Sequence, residues 1–120
     1  MKLIKIGICE GRHPLPVNHY IFPQEINPLE VEKLERISTK RLVEIANQEK
    51  IEIKNTSVIL GNQVGYHDIT IAVYDAKLLV YATGLTVAVL AVVKAAKHLF
   101  KEVVVMHYDR DSNSYYEQKI

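Results

Sequence analysis

A chain of 120 residues with 48% hydrophobic and 24% charged content reads as one globular domain, long enough to bury about two-thirds of its unfolded surface. Lys and Arg number 15 against 14 Asp and Glu, and the net charge of +1 excludes a general coat for duplex DNA while allowing a small basic pocket. The one cysteine, Cys9, excludes an intramolecular disulfide and fits a reducing cytoplasm.

Residues 3–9 (LIKIGIC) read as the first and central strand, and Lys5 interrupts the apolar run that a signal peptide would need. Gly11 ends the strand. Residues 10–27 contain Pro14, Pro16 and Pro23, which exclude a helix or a central strand. A loop of that length in a small domain is often functional, and this one presents Arg12, His13, Asn18, His19 and Tyr20 after a strand end. Asn27-Pro28 has the form of a helix start, with Asn as cap and Pro at the first position. Leu29, Leu34, Ile37, Leu42, Ile45 and Ala46 carry the helical period to about Gln48, with Ser38-Thr39 as a bend or a break into two helices.

Residues 51–60 (IEIKNTSVIL) read as one bent strand or two short ones, residues 61–65 as a turn and residues 69–74 as a strand. Residues 74–77 are expected to turn tightly into the next strand, Leu78-Leu79-Val80-Tyr81, although they contain no glycine. Thr83-Gly84 breaks that strand, with the Thr83 hydroxyl available to cap the following helix. Residues 85–93 are almost wholly apolar, so this half of the helix has no wet face and needs cover on two sides. The run is too short to cross a bilayer, and Lys94, Lys97 and Lys101 begin a wet stripe after it. Residues 103–108 form a second buried strand, and residues 114–120 return beside it as an edge hairpin. These elements predict an α/β fold: a small three-layer Rossmann-like domain whose mostly parallel sheet ends in a C-terminal edge hairpin.

The carboxyl ends of parallel strands share one edge, so Arg12, His13, Thr83, Thr86 and His107 are predicted neighbours. Backbone N–H groups, hydroxyls, a guanidinium and two imidazoles make an anion pocket. Each residue also has a plainer structural role open to it: Arg12 pairing with Glu10 or Glu25, His13 shaping the loop, His107 bonded within the core. Cys9 reads as a small buried residue. The five histidines lie on separate elements with no metal-binding spacing, and there is no nucleotide-binding glycine motif of the Walker or dinucleotide type. No metal or cofactor is expected.

The run Tyr81-Ala82-Thr83-Gly84-Leu85-Thr86-Val87-Ala88, followed by Val103-Val104-Val105-Met106-His107-Tyr108-Asp109, resembles the C-terminal half of CARF-type Rossmann-like domains. Small stand-alone relatives of those domains include CRISPR-associated ring nucleases and phage-borne proteins. This chain carries Leu85 where many have a second glycine and Val87 where many have a lysine. The resemblance implies a cytoplasmic homodimer of antiviral signalling that binds a cyclic oligoadenylate across its two-fold axis. It implies ligand contacts from Arg12, Thr83, Gly84, Leu85 and Thr86. Metal-independent cleavage would fall to Arg12, His13 and His107. A non-catalytic sponge for a signalling nucleotide and a small interaction or assembly module are the alternatives. Duplex DNA and membrane are not expected partners.

Overall fold

The computed structural model describes residues 1–11, 14–23, 25–62 and 65–120, with side chains described outside residues 56–70. Eight elements follow in order: β1 (Lys2–Cys9), β2 (His19–Phe22), α1 (Val31–Gln48), β3 (Ile53–Asn62), β4 (Gly65–Tyr81), α2 (Thr86–Leu99), β5 (Phe100–Asp109) and β6 (Ser114–Lys119). They build a mixed, mostly parallel six-stranded sheet in the order β2-β1-β4-β5-β6, with β3 paired to the first part of β4. β1 is parallel to β2 and β4, and β4 is parallel to β5. The β3–β4 and β5–β6 pairs are antiparallel. No described helix is long and apolar enough to cross a membrane.

The chain passes from β1 to β4 and from β4 to β5 in the same direction across the sheet. Right-handed crossovers then put α1 and α2 on one face. The core agrees: Ile4, Ile6, Ile8, Leu78, Val80 and Val103 of the sheet share one buried cluster with Leu34, Leu42 and Ile45 of α1 and Ala88, Val92 and Ala96 of α2. The buried face of α2 includes four alanines, which let the two helices approach closely. The connection from β1 to β2 runs the other way, and its handedness places it on the opposite face. There Leu15 and Val17 pack on a second buried cluster of Leu79, Tyr81, Val104 and Met106, with Tyr115 beside them.

Several local expectations are corrected. Residues 74–77 do not turn. Ala76 pairs with Lys2 of β1, and the Asp75 N–H donates to the Glu52 carbonyl (2.8 Å), so β4 runs unbroken from the β3 ribbon into the core. A register shift between Tyr74 and Lys77 marks the passage. The stretch read wholly as loop contains β2, a four-residue edge strand ending before Pro23. Asn27 does not cap α1: its Oδ1 accepts from the Leu29 N–H (3.0 Å) in a turn that precedes the helix. Ser38 and Thr39 do not break the helix, because their hydroxyls donate to the Leu34 and Glu35 carbonyls one turn back (2.8 and 3.1 Å). At α2 the residue in the capping position is Leu85, with no side-chain cap, so the Thr83 hydroxyl does not serve that end.

Candidate functional site at the carboxyl edge of the sheet

β1 and β4 lie side by side, and the connections that leave their carboxyl ends go to opposite faces. After β1 the chain crosses the face of Leu79 and Tyr81; after β4 it enters α2 on the other. That divergence is a topological switch point, the place where open α/β sheets hold ligands. Both departures use a left-handed glycine, Gly11 with φ 85° and Gly84 with φ 84°, a conformation that L side chains rarely adopt.

Gly84 delivers the chain to the start of α2 without any side chain over its end. The first N–H groups of the helix have no partner one turn back and, here, no cap. They carry the positive end of the helix dipole. Beside them runs a groove of about 420 Å³. One wall is Thr86, Val89, Leu90 and Val93, spaced along one flank of α2, and the floor is Val105 and His107 of β5 with Gln118 and Ile120 beyond. α1 covers the other flank of α2, which leaves Leu90 62% exposed in this groove.

His107 is held on two sides. Its Nε2 donates to Gln118 Oε1 (2.7 Å), and its ring stacks on Tyr116 with centroids 5.3 Å apart. Because the Gln oxygen can only accept, Nε2 carries a proton and the neutral ring presents Nδ1 as its lone-pair nitrogen. On the opposite face Tyr81 meets Tyr115 edge-on at 5.0 Å, and burial, then the neighbouring Tyr115, pushes the Tyr81 phenol up.

Of the residues singled out in the sequence, the structure brings Gly84, Thr86 and His107 to one groove. Thr83 is in the same turn without lining it, and Leu85 packs against the core cluster below. Arg12 and His13 lie outside the described residues. Cys9 is buried in the core. His19 has a structural partner: its Nε2 lies 2.8 Å from Glu49 Oε1, while Glu49 Oε2 is 3.0 Å from Lys2 Nζ. Those contacts, the His19 hydrogen bond first and Lys2 second, hold the Glu49 carboxyl below its usual value. Among the described residues, no three His, Cys, Asp or Glu side chains converge as metal ligands. Val105, Gln118 and Ile120 were not anticipated as lining residues. The signal was available in the two-residue period, since Val105 pairs with Gln118 and shares a sheet face with His107.

No protein-family model matches this chain, and no curated protein sequence matches it.

Proposed function

We propose that the chain binds a cyclic oligonucleotide second messenger, of the cyclic oligoadenylate class, in a homodimeric pocket. The observation that carries this reading is the shared groove. An uncapped helix start with Gly84 and Thr86 suits a phosphate, and the adjoining wall of Val89, Val93 and Val105 suits a base. The switch point between β1 and β4 supports the Rossmann-like part of the reading, in which the residues 14–18 over Leu79 and Tyr81 stand as the third layer. The exposed flank of α2 around Leu90 supplies apolar surface for the second copy.

Cleavage without metal is the second reading, and one observation favours it. His107 is oriented by Gln118 with Nδ1 available to take a proton from a ribose 2′-hydroxyl placed in line with the phosphorus. Incubation with cyclic tri-, tetra- and hexa-adenylate in EDTA, followed by denaturation and chromatography, separates the readings. New linear products support cleavage, and recovery of bound, intact ring supports sequestration. Absence of both new products and retained ligand with every ring size overturns both. Thr86→Val keeps the shape and should weaken binding by about 1.5–3 kcal/mol, the range for a hydrogen bond to a charged partner.

A further inference from the structure

The first part of β4 runs beyond the body of the sheet. Tyr74 pairs with Ile53 on one side and with Phe100 on the other, and β1 joins only from Ala76 onward. Before Tyr74, residues 65–73 pair with β3 alone, so the ten rungs from Ile53–Tyr74 to Asn62–Gly65 form a two-stranded ribbon. Among the described residues, no strand lies on the outer edge of β3. The ribbon leads into the amino end of the core part of β4, at the opposite end from the carboxyl-edge groove.

A ribbon of two strands is marginally stable in water, and further strands are what stabilise it. Its outer edge lacks the features that keep edges from pairing. Residues 55–61 (NTSVILG) contain no charge and no proline, and Lys54 is the one charged residue of β3. The other outer edges of the sheet differ. β2 is four residues long and ends before Pro23, and β6 carries Glu117 and Lys119. Apolar side chains of the ribbon also stand in water, with Ile53 62% and Ile71 41% exposed. Ile71 pairs with Thr56, three positions from Ile53, so the two lie on opposite faces.

This edge is complementary to itself. An antiparallel β3–β3 pair about a two-fold axis uses the same surface twice. Centred on Val58, it sets each copy's Lys54 across from the other's Asn62, so the two lysines stay at opposite ends and no like charges meet. We propose that the β3 edge is an interface between two copies of this chain, joining their ribbons into one four-stranded antiparallel sheet. A strip about 34 Å long and about 10 Å deep buries roughly 340 Å² per copy. That is less than half of the roughly 800 Å² of a standard interface, which puts the pairing in the weak, concentration-dependent class.

The test is sedimentation velocity over roughly micromolar to millimolar concentrations, on the parent, on Val58→Lys, on Val58→Glu and on an equimolar mixture of the two variants. The parent is expected to pass from monomer to dimer across that range. Each variant alone sets like charges at the two-fold axis and should dimerise roughly two- to fivefold more weakly. The mixture sets opposite charges there and should recover the parent's association. A melt of each variant checks folding, and hydrogen exchange of the parent at both ends of the range decides if either variant melts early. Protection gained with concentration in residues 54–62 supports the proposal. Protection confined to residues 86–93 assigns the contact to the α2 flank and overturns it, while leaving the reading of the groove intact. A parent that stays monomeric, or a mixture of folded variants no stronger than each alone, overturns it as well.

Discussion

Gly7→Ala is expected to destabilise this protein, against the usual preference of strands for alanine over glycine. Gly7 sits within β1, paired with Tyr20 on one side and Tyr81 on the other, and its φ is not positive. Backbone freedom therefore does not explain the glycine, and alanine alone would gain about 0.5–1 kcal/mol. The obstacle is space. A Cβ at Gly7 would lie 2.6 and 2.7 Å from Cε1 and Cδ1 of Tyr20, and 3.2 Å from a Leu15 methyl. The ring must move about 0.8 Å to regain an ordinary 3.4 Å contact. It cannot do so by sliding its strand, because the Arg41 Nε donates to the Tyr20 carbonyl (3.0 Å) and holds β2 to α1. The ring has to leave its rotamer well against Leu15, an overpacking cost of about 1–3 kcal/mol. The net loss is then about 0–2.5 kcal/mol, centred near 1 kcal/mol, or a fall in Tm of up to roughly 10 °C for a chain of this size. Urea unfolding with an unchanged m-value measures it. In a Tyr20→Ala background only the 3.2 Å contact with the Leu15 methyl remains, and Gly7→Ala should become neutral or stabilising by up to about 1 kcal/mol. A full-strength loss in that background, or no loss in the parent, would refute the reasoning.

Two further outcomes are expected. Glu49 is held below the ordinary carboxylate value of 4.5 by His19 first and Lys2 second, so the folded state binds fewer protons there than the unfolded. That stability is complete above pH 4.5 and is lost as pH falls through the lowered folded value. Urea midpoints of Glu49→Gln should be lower than the parent's at neutral pH and should converge on them in acid; a constant gap at every pH would count against the linkage. Gly84→Ala places a Cβ at φ 84° and should cost about 1–2 kcal/mol by urea unfolding; a variant as stable as the parent would show that this turn relaxes.

What could be read in the sequence was whatever rested on a long, regular pattern. The apolar run of α2, the strand after it and the polar hairpin at the end all lie where the periodicity puts them. What could not be read was decided by partners distant in the chain. Asp75 and Lys77 look like turn residues beside Tyr74, yet the Glu52 carbonyl accepts from the Asp75 N–H and Lys2 pairs with Ala76 between them, which keeps the segment extended. β2 is four residues among prolines, and it is a strand because β1 offers it an edge and Arg41 ties it down. Asn27 does form a side-chain bond to a following N–H, but to one that starts a turn, and the helix begins at Val31. At the site, Gly84, Thr86 and His107 were legible as strand-end residues. Gln118 was not, because its place beside His107 depends on the β5–β6 register.

The unbroken course of β4 also sets a timetable for folding. Its first half finds β3 across a connection of two residues, so those pairs are local and fast. Its second half must wait for β5, which arrives only after α2 has been made. The bond with β1 is more remote again: Lys2 and Ala76 are 74 positions apart, and closing such a loop costs about 4 kcal/mol in chain entropy. Of the strands described, β1 is made before β4 and must wait for it to complete its pairing. Until then Ile4, Ile6 and Ile8 stand without cover, and Lys2 and Lys5 are the charges within that segment that discourage it from pairing with another nascent chain.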